Sequence, residues 1–150
     1  MDIGEKSIQF KGKARITLYG ANGSIKDYRE QENLITDAGY DIITRNVGGP
    51  QTTSCYVCAI GSDATAADAG DTALGTELAR VSGVFAHTTG TKIWTNTATF
   101  GAGTGTGNVY EAGLLNNESS GGTLLNRQTF GIISKGSGDV LVVLYTITLS

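Results

Sequence analysis

The end of the chain, residues 139–150, has an apolar side chain at every odd position from 141 to 149. The even positions are apolar up to residue 144 and threonine after it. Residues two apart on a β-strand point to the same face. One face of such a strand would hold Leu141, Val143, Tyr145, Ile147 and Leu149. The other face would be apolar at Val140, Val142 and Leu144 and would carry hydroxyl groups at Thr146 and Thr148, near the end of the strand. The alternation therefore predicts a strand with one face in a core and the other only partly covered.

Two earlier segments, 109–115 and 124–133, are also rich in strand-forming residues. The links between the three segments contain the Gly, Ser, Asn and Asp residues that are typical of turns. Three strands joined by short polar turns predict an antiparallel meander. The rest of the chain must then supply the strands that cover its apolar face.

Other segments show the same extended patterns, with turn residues between them. They lie at 8–10, 14–19, 24–31, 55–60, 81–86 and 92–100. The Asn22-Gly23 pair between the second and third favours a tight hairpin turn. With 22 glycines in 150 residues, the pattern predicts an antiparallel β-sandwich, jelly-roll-like, with seven to eight strands. We expect one domain over residues 11–150 behind a polar N-terminal arm, residues 1–10.

One short helix is predicted near residues 36–47. Thr36 can cap its first turn, Asp37 favours the positive end of the helix, and two glycines after residue 47 end it. A second helical turn is predicted at 72–80, with Leu74 and Leu78 pointing inward.

The composition bears on the kind of partner. The net charge is −3, and the 11 basic residues are scattered along the chain, so a nucleic-acid partner is not expected. No apolar segment approaches 20 residues, and no signal-peptide pattern follows Met1, so a membrane partner is not expected either.

The two cysteines, Cys55 and Cys58, form a Cys-x-x-Cys pair. Such a pair can be redox-active or can supply half of a zinc site, for which His87 is the one remaining soft ligand. Three apart on a strand, the two thiols would face opposite ways. We therefore expect structural cysteines, with redox or metal chemistry as the alternative.

The glycine-rich segment 101–107 matches neither the dinucleotide-binding nor the P-loop spacing, so we interpret it as a loop between strands. No nucleophile-elbow motif accompanies His87, which lies beside a turn-like segment. We expect a surface histidine there.

The acidic residues give no catalytic pattern. Asp63, Asp68 and Asp71 lack the alternate spacing of a calcium loop and are expected to be solvated. Glu111 and Arg127 lie on neighbouring strands of the predicted meander and can form an ordinary cross-strand pair. We therefore expect no enzyme, no catalytic residue, no cofactor and no metal.

Short motifs in a fixed order resemble a known group of proteins. They lie at residues 32–39, 59–61, 71–80, 98–100, 110–115 and 130–149. Asn33, Thr36 and Gly39 carry the first motif, and Glu111-Ala-Gly-Leu the fifth. In this order they resemble the small structural proteins of tailed bacteriophage virions, described as capsid decoration, tail or fibre-associated. The resemblance extends from about residue 12 onward.

The resemblance implies a non-enzymatic virion protein, made in the host cytoplasm, that binds other virion proteins such as the major capsid protein or tail proteins. It also implies a homo-oligomer, for which we expect a trimer, and no small-molecule substrate. Within this class a capsid decoration or cement protein is favoured, because no long shaft or heptad pattern occurs. A tail-tip, collar or fibre-attachment module that contacts the host is the alternative.

A sugar-binding or sugar-cleaving β-sandwich is the third possibility; it would use Trp94 and tyrosines as stacking platforms, with paired carboxylates if it cleaved. For the virion protein, the N-terminal arm is the expected attachment segment, because terminal segments often become ordered on binding. Ile3, Ile8 and Phe10 are its expected partner-binding residues.

Overall fold

The computed structural model describes residues 8–150 and confirms the predicted class, a mainly β protein with one short helix. Nine antiparallel strands form one nearly closed sheet that resembles both a barrel and a sandwich. In chain order the elements are β1 (Phe10–Tyr19), β2 (Ile25–Ile35), α1 (Asp37–Gly48), β3 (Val57–Gly61), β4 (Glu77–Ser82), β5 (Val84–His87), β6 (Ile93–Phe100), β7 (Gly107–Leu115), β8 (Leu124–Lys135) and β9 (Val140–Leu149).

The strand order in the sheet is β4-β3-β7-β8-β2-β1-β9-β6-β5. The β8–β2 joint is short, because only Leu34 and Ile35 of β2 pair with Arg127 and Asn126 of β8. The sheet therefore folds at this joint into a four-stranded half (β4-β3-β7-β8) and a five-stranded half (β2-β1-β9-β6-β5). The core lies between the two halves.

The two end strands, β4 and β5, are consecutive in the chain and are separated by Gly83 alone. The Gly83 N–H donates to the Tyr56 carbonyl at 2.8 Å. A Cβ at this position would clash with the Asn96 side chain, so the break needs a glycine. The chain thus crosses from one end of the sheet to the other and nearly closes it. This break divides the predicted strand 81–86, and the described chain has nine strands where seven to eight were predicted.

The helical turn predicted at 72–80 is wrong. Residues 77–80 belong to β4 and pair with β3, and Leu78 is exposed while Leu74 is buried. A spacing of four residues between two leucines occurs in loops and strands as well as in helices. Here residues 77–80 are extended because the backbone N–H and C=O groups along the edge of β3 form hydrogen bonds with them.

The predicted three-stranded meander is correct for its first two strands, β7 and β8, and wrong for its third, β9. β7 pairs with β8 as expected, but β8 and β9 do not pair with each other. The turn after Lys135 carries the chain across the core, and β9 inserts between β1 and β6. A short polar turn fixes the distance between two strand ends and leaves open which neighbour each strand pairs with.

The alternation of β9 is confirmed. Leu141, Val143, Tyr145 and Ile147 are buried, whereas the residues between them are half-buried. Their neighbours on β1 continue the same core face, since Ile16 lies opposite Val143. The interior also holds a polar pair, in which the Gln128 amide donates to the Tyr145 hydroxyl at 2.7 Å.

Helix α1 begins as predicted. The Thr36 hydroxyl accepts from the Gly39 N–H at 2.9 Å and donates to the Leu124 carbonyl at 2.6 Å. Gly39 lies where the helix crosses β8, and a Cβ there would clash with the Leu125 carbonyl oxygen. The glycine that disfavours a helix by propensity therefore permits this close crossing.

Candidate interaction surface

The three predicted attachment residues have different surroundings. Ile3 lies outside the described residues. Ile8 precedes β1 and is 73% exposed. Phe10 begins β1 opposite Leu149, and its ring packs edge-on against Tyr40 with 6.4 Å between centroids. Of the described pair, Ile8 is thus free to contact another molecule, whereas Phe10 already contacts α1.

The outer face of β5, β6 and β9 is the most distinctive surface in the described chain. All side chains that point outward from these three strands are uncharged. The backbone register places them in continuous rows across the sheet. Its centre, which we term the uncharged face, consists of Val84, Thr95, Thr97, Val142, Leu144 and Thr146.

Charged residues begin at the next strand. Lys13 and Arg15 point outward from β1, and Glu30 of β2 forms ion pairs with both. The Tyr28 hydroxyl donates to the same carboxylate at 2.7 Å, and the Arg15 guanidinium lies 6.0 Å from the Tyr28 ring. The uncharged face therefore has a charged border on its β1 side.

On its other side the uncharged face ends at β5, whose outer edge pairs with no strand in the described chain. Val84 is 71% exposed and Phe85 is 61% exposed. Edge strands usually carry Lys, Pro or a bulge that discourages pairing with another chain. β4, at the other end of the sheet, has Glu77 and Arg80, whereas β5 has no Lys, Pro or bulge and is protected only by its length of four residues.

An aromatic groove lies beneath β5, on the opposite side of this strand from the uncharged face. The rings of Phe85 and Trp94 are 5.9 Å apart at an angle of 36°. The groove measures about 540 Å³ and is also lined by Tyr56 and Asn96. The fully buried Asn96 amide donates to the Tyr56 carbonyl at 3.1 Å, and its oxygen has no hydrogen-bond partner among the described residues.

The predicted pair between Glu111 and Arg127 is confirmed, with 2.8 Å between Oε2 and Nε, and both side chains are buried. The Glu111 carboxylate also accepts the backbone N–H groups of Asp63, Gly75 and Thr76. These bonds fasten the loop between β3 and β4 to the sheet.

The loop acids were expected to be solvated, but two of the three lie beside the same arginine. Asp71 Oδ2 is 2.7 Å from Arg127 Nη1, and Asp63 Oδ2 is 3.9 Å from Nη2. Burial raises the pKa of Asp71, but the Asp68 N–H and the Arg127 guanidinium outweigh it and hold the pKa below its usual value. Asp63 and Asp71 therefore help to neutralise the buried Arg127 guanidinium. Their spacing in the sequence did not indicate this role.

The two cysteines are free thiols. Burial raises the pKa of Cys55 to about 11, and it raises the pKa of the fully buried Cys58 further. A thiol with a raised pKa is a poor nucleophile and a poor metal ligand.

His87 is exposed at the end of β5, and its Nδ1 lies 2.7 Å from the Ile93 carbonyl oxygen. Residues 101–106 of the predicted loop 101–107 connect β6 and β7, and Gly107 begins β7. Within residues 8–150, no three His, Cys, Asp or Glu side chains come together in a way that could hold a metal ion.

The exposed residues Val84 and Phe85 were not singled out from the sequence. Both fall inside a predicted strand, and nothing in the local pattern distinguishes an edge strand from an inner one. The hydroxyl-bearing outer face of β9 was predicted, but its position beside β6 was not.

No protein-family model, curated protein or solved structure matches this chain. No helix in the described part of the chain has the length and apolar character needed to cross a membrane.

Proposed function

We propose that this protein is a non-enzymatic structural component of a tailed-phage virion, which acts by binding copies of itself and other virion proteins. The observation that carries the proposal is the uncharged face, an exterior surface that ends at the unpaired edge of β5. A neutral, partly apolar exterior beside an unpaired strand edge is a surface to which another chain can bind. The motif order described above supplies the virion assignment.

The surroundings of the polar groups support an adhesive role. The Glu111 carboxylate is occupied by three backbone N–H groups and by Arg127, and Asp71 pairs with the same arginine. These groups stabilise a loop instead of facing an open cleft. Adhesion needs a complementary surface, and such a surface is what the exterior of β5, β6 and β9 offers.

Within the virion we favour the capsid surface, with decoration or cement as the role. The alternative, a tail-tip, collar or fibre-attachment module, differs in position on the particle and in host contact. Immunogold labelling of purified particles with an antibody to this chain tests the position directly. Gold over the capsid supports decoration, gold at the tail supports the alternative, and particles without label overturn the virion assignment.

The predicted attachment segment can be tested on the same particles. A variant that lacks residues 1–7 retains Ile8, Phe10 and all of β1, so its fold should persist by circular dichroism. We expect this variant to occupy fewer sites on particles assembled without the wild-type chain. Equal occupancy by the variant and the full chain would remove residues 1–7, and with them Ile3, from the attachment mechanism and leave Ile8 as the exposed candidate.

The aromatic groove favours a second candidate function, sugar binding. Trp94 and Phe85 present ring surface on which a sugar ring can stack. Calorimetric titration with host glycans, with Trp94→Ala as control, tests this function. Saturable heat that the substitution abolishes would establish sugar binding, and the lack of any heat would refute it.

A further inference from the structure

We infer that residues 1–7 of the N-terminal arm fold back onto their own chain, and that Ile3 occupies the aromatic groove between Trp94 and Phe85. The inference goes beyond the proposed function, because it concerns the free chain and does not depend on a virion. The occupant is a named segment of this chain, which precedes the described residues.

The aromatic groove is one end of a longer channel. A smaller pocket of about 120 Å³ lies beside α1 and is lined by Phe10. The pocket and the groove share four lining residues, Asn46, Thr53, Cys55 and Trp94. They therefore form one continuous channel, which runs from Phe10 at the start of β1 to Phe85 on β5.

The arm joins the sheet beside this channel. Gln9 and Ser150 exchange two backbone hydrogen bonds, so the extended pairing of β1 with β9 continues to residue 9. Phe10 lines the pocket, and residues two apart on an extended chain share a face. We therefore expect Ile8 on the channel side of the sheet, with residues 1–7 beginning at the mouth of the channel.

The reach of the segment matches the distance to the groove. Trp94 pairs with Ile147, which pairs with Gly12, so Trp94 lies two strands from β1. Ile8 is about four positions further along the sheet, which places its Cα about 16 Å from that of Trp94. Ile3 precedes Ile8 by five residues, which span about 17 Å when extended.

The chemistry of the channel fits Ile3. None of the described residues that line the pocket or the groove is charged. The Phe85 ring is largely exposed, so an aliphatic side chain between it and Trp94 would remove apolar surface from water. Ile3 is the one branched aliphatic residue in segment 1–7, and Gly4 beside it allows the chain to turn.

The tether favours the chain's own arm over the arm of a second copy. Closing a short flexible loop costs little free energy, and it gives the tethered residue an effective concentration in the millimolar range. An arm from another molecule would be present only at the much lower concentration of the protein itself.

The groove is the one considered above for sugar binding, so a sugar would have to displace Ile3. The glycan titration is therefore made on the full chain and on the variant that lacks residues 1–7.

A disulfide trap tests the position of residue 3. Cys55 is a free thiol that lines the groove, whereas Cys58 is fully buried. In Ile3→Cys, mild oxidation of the dilute full chain should link the introduced thiol to Cys55 within one molecule. Peptide mass spectrometry identifies the link, and a non-reducing gel shows whether it joins one chain or two.

Two control variants accompany the trap. Ile3→Cys combined with Cys55→Ser should form no internal link. Neither should Ser134→Cys, an exposed position on β8 in the other half of the sheet. Circular dichroism establishes that each variant is folded. A folded Ile3→Cys variant without an internal link, or with links only between two copies, overturns the inference.

Trp94, the one tryptophan, gives a second readout. In the variant that lacks residues 1–7, its emission should shift to longer wavelength and acrylamide should quench it more strongly. Ile3→Ser should act in the same direction, because loss of one buried aliphatic side chain lowers the ratio of docked to free arm by about tenfold. Glu5→Gln is the matched control and should change neither property. Identical emission and quenching in the full chain and the shortened variant would also overturn the inference.

Discussion

Replacement of Arg127 should strongly destabilise the fold. Arg127 lies between Glu111 and Asp71, and its removal would leave the buried Glu111 carboxylate without its cation. Breaking a buried pair from one side typically costs about 3–5 kcal/mol. We expect Arg127→Met to lower the free energy of unfolding by that amount, as measured by urea denaturation.

The control is Arg45→Met, which breaks an exposed pair with Asp41 in α1. Exposed pairs contribute about 0.5 kcal/mol or less. Equal losses in the two variants would contradict the structural role given to Arg127.

The carboxylate of Asp139 should make the free energy of unfolding depend on pH. The Lys26 ammonium and the Gly136 N–H both donate to this carboxylate, and they lower its pKa in the folded state. A lowered pKa means that the ionised form stabilises the fold above the unfolded pKa of about 3.9. That stability is lost as the pH falls through the lower, folded pKa.

We therefore expect the wild-type chain to be equally stable from about pH 7 to about pH 5 and to lose stability below about pH 4. Asp139→Asn should be less stable near neutral pH and should lose less on acidification. Urea midpoints measured across this range would show the two curves converging at low pH. Parallel curves would contradict the assignment.

At the scale of residues, the sequence predicted pairs better than clusters. The pair between Glu111 and Arg127 could be anticipated because both lie on strands expected to be neighbours. The approach of Asp63 and Asp71 could not, because a loop of small residues between two strands does not reveal where it returns to the sheet.

At the scale of elements, helix α1 depends on a missing side chain. Gly39 allows the helix to cross β8 against the Leu125 carbonyl oxygen. In an open helix, alanine is favoured over glycine by about 1 kcal/mol. Here a methyl group would force the helix away from β8, so we expect Gly39→Ala to destabilise the protein by about 1–3 kcal/mol.

Gly48 of the same helix is the matched control, since a Cβ there would meet nothing within 4 Å. Gly48→Ala should leave the thermal midpoint unchanged or slightly higher. If both substitutions raised the midpoint, the close crossing of α1 over β8 would be refuted.

The elements also show which sequence signals are reliable. Alternation correctly assigned the faces of β9, because burial of one side imposes a period of two. It could not assign neighbours, so β9 was placed beside β8 and not between β1 and β6. The residues at 77–80 have no strong pattern of their own, and pairing with β3 made them a strand.

At the scale of the whole molecule, many partners are distant in sequence. β1 pairs with β9 along its entire length. The first described strand can therefore complete its pairing only after the last strand is in place. Folds dominated by such pairings refold in about milliseconds to seconds. Stopped-flow fluorescence of Trp94, the one tryptophan, should show this range. Refolding within microseconds would be inconsistent with the strand order described here.

The same β1–β9 pairing brings Gln9 and Ser150 together, with their backbone groups hydrogen-bonded in both directions at 2.8 and 2.9 Å. A domain fused ahead of Gln9 and another fused behind Ser150 would consequently emerge side by side from one pole of the protein. A lattice built from such copies could display cargo from either fusion point in the same orientation.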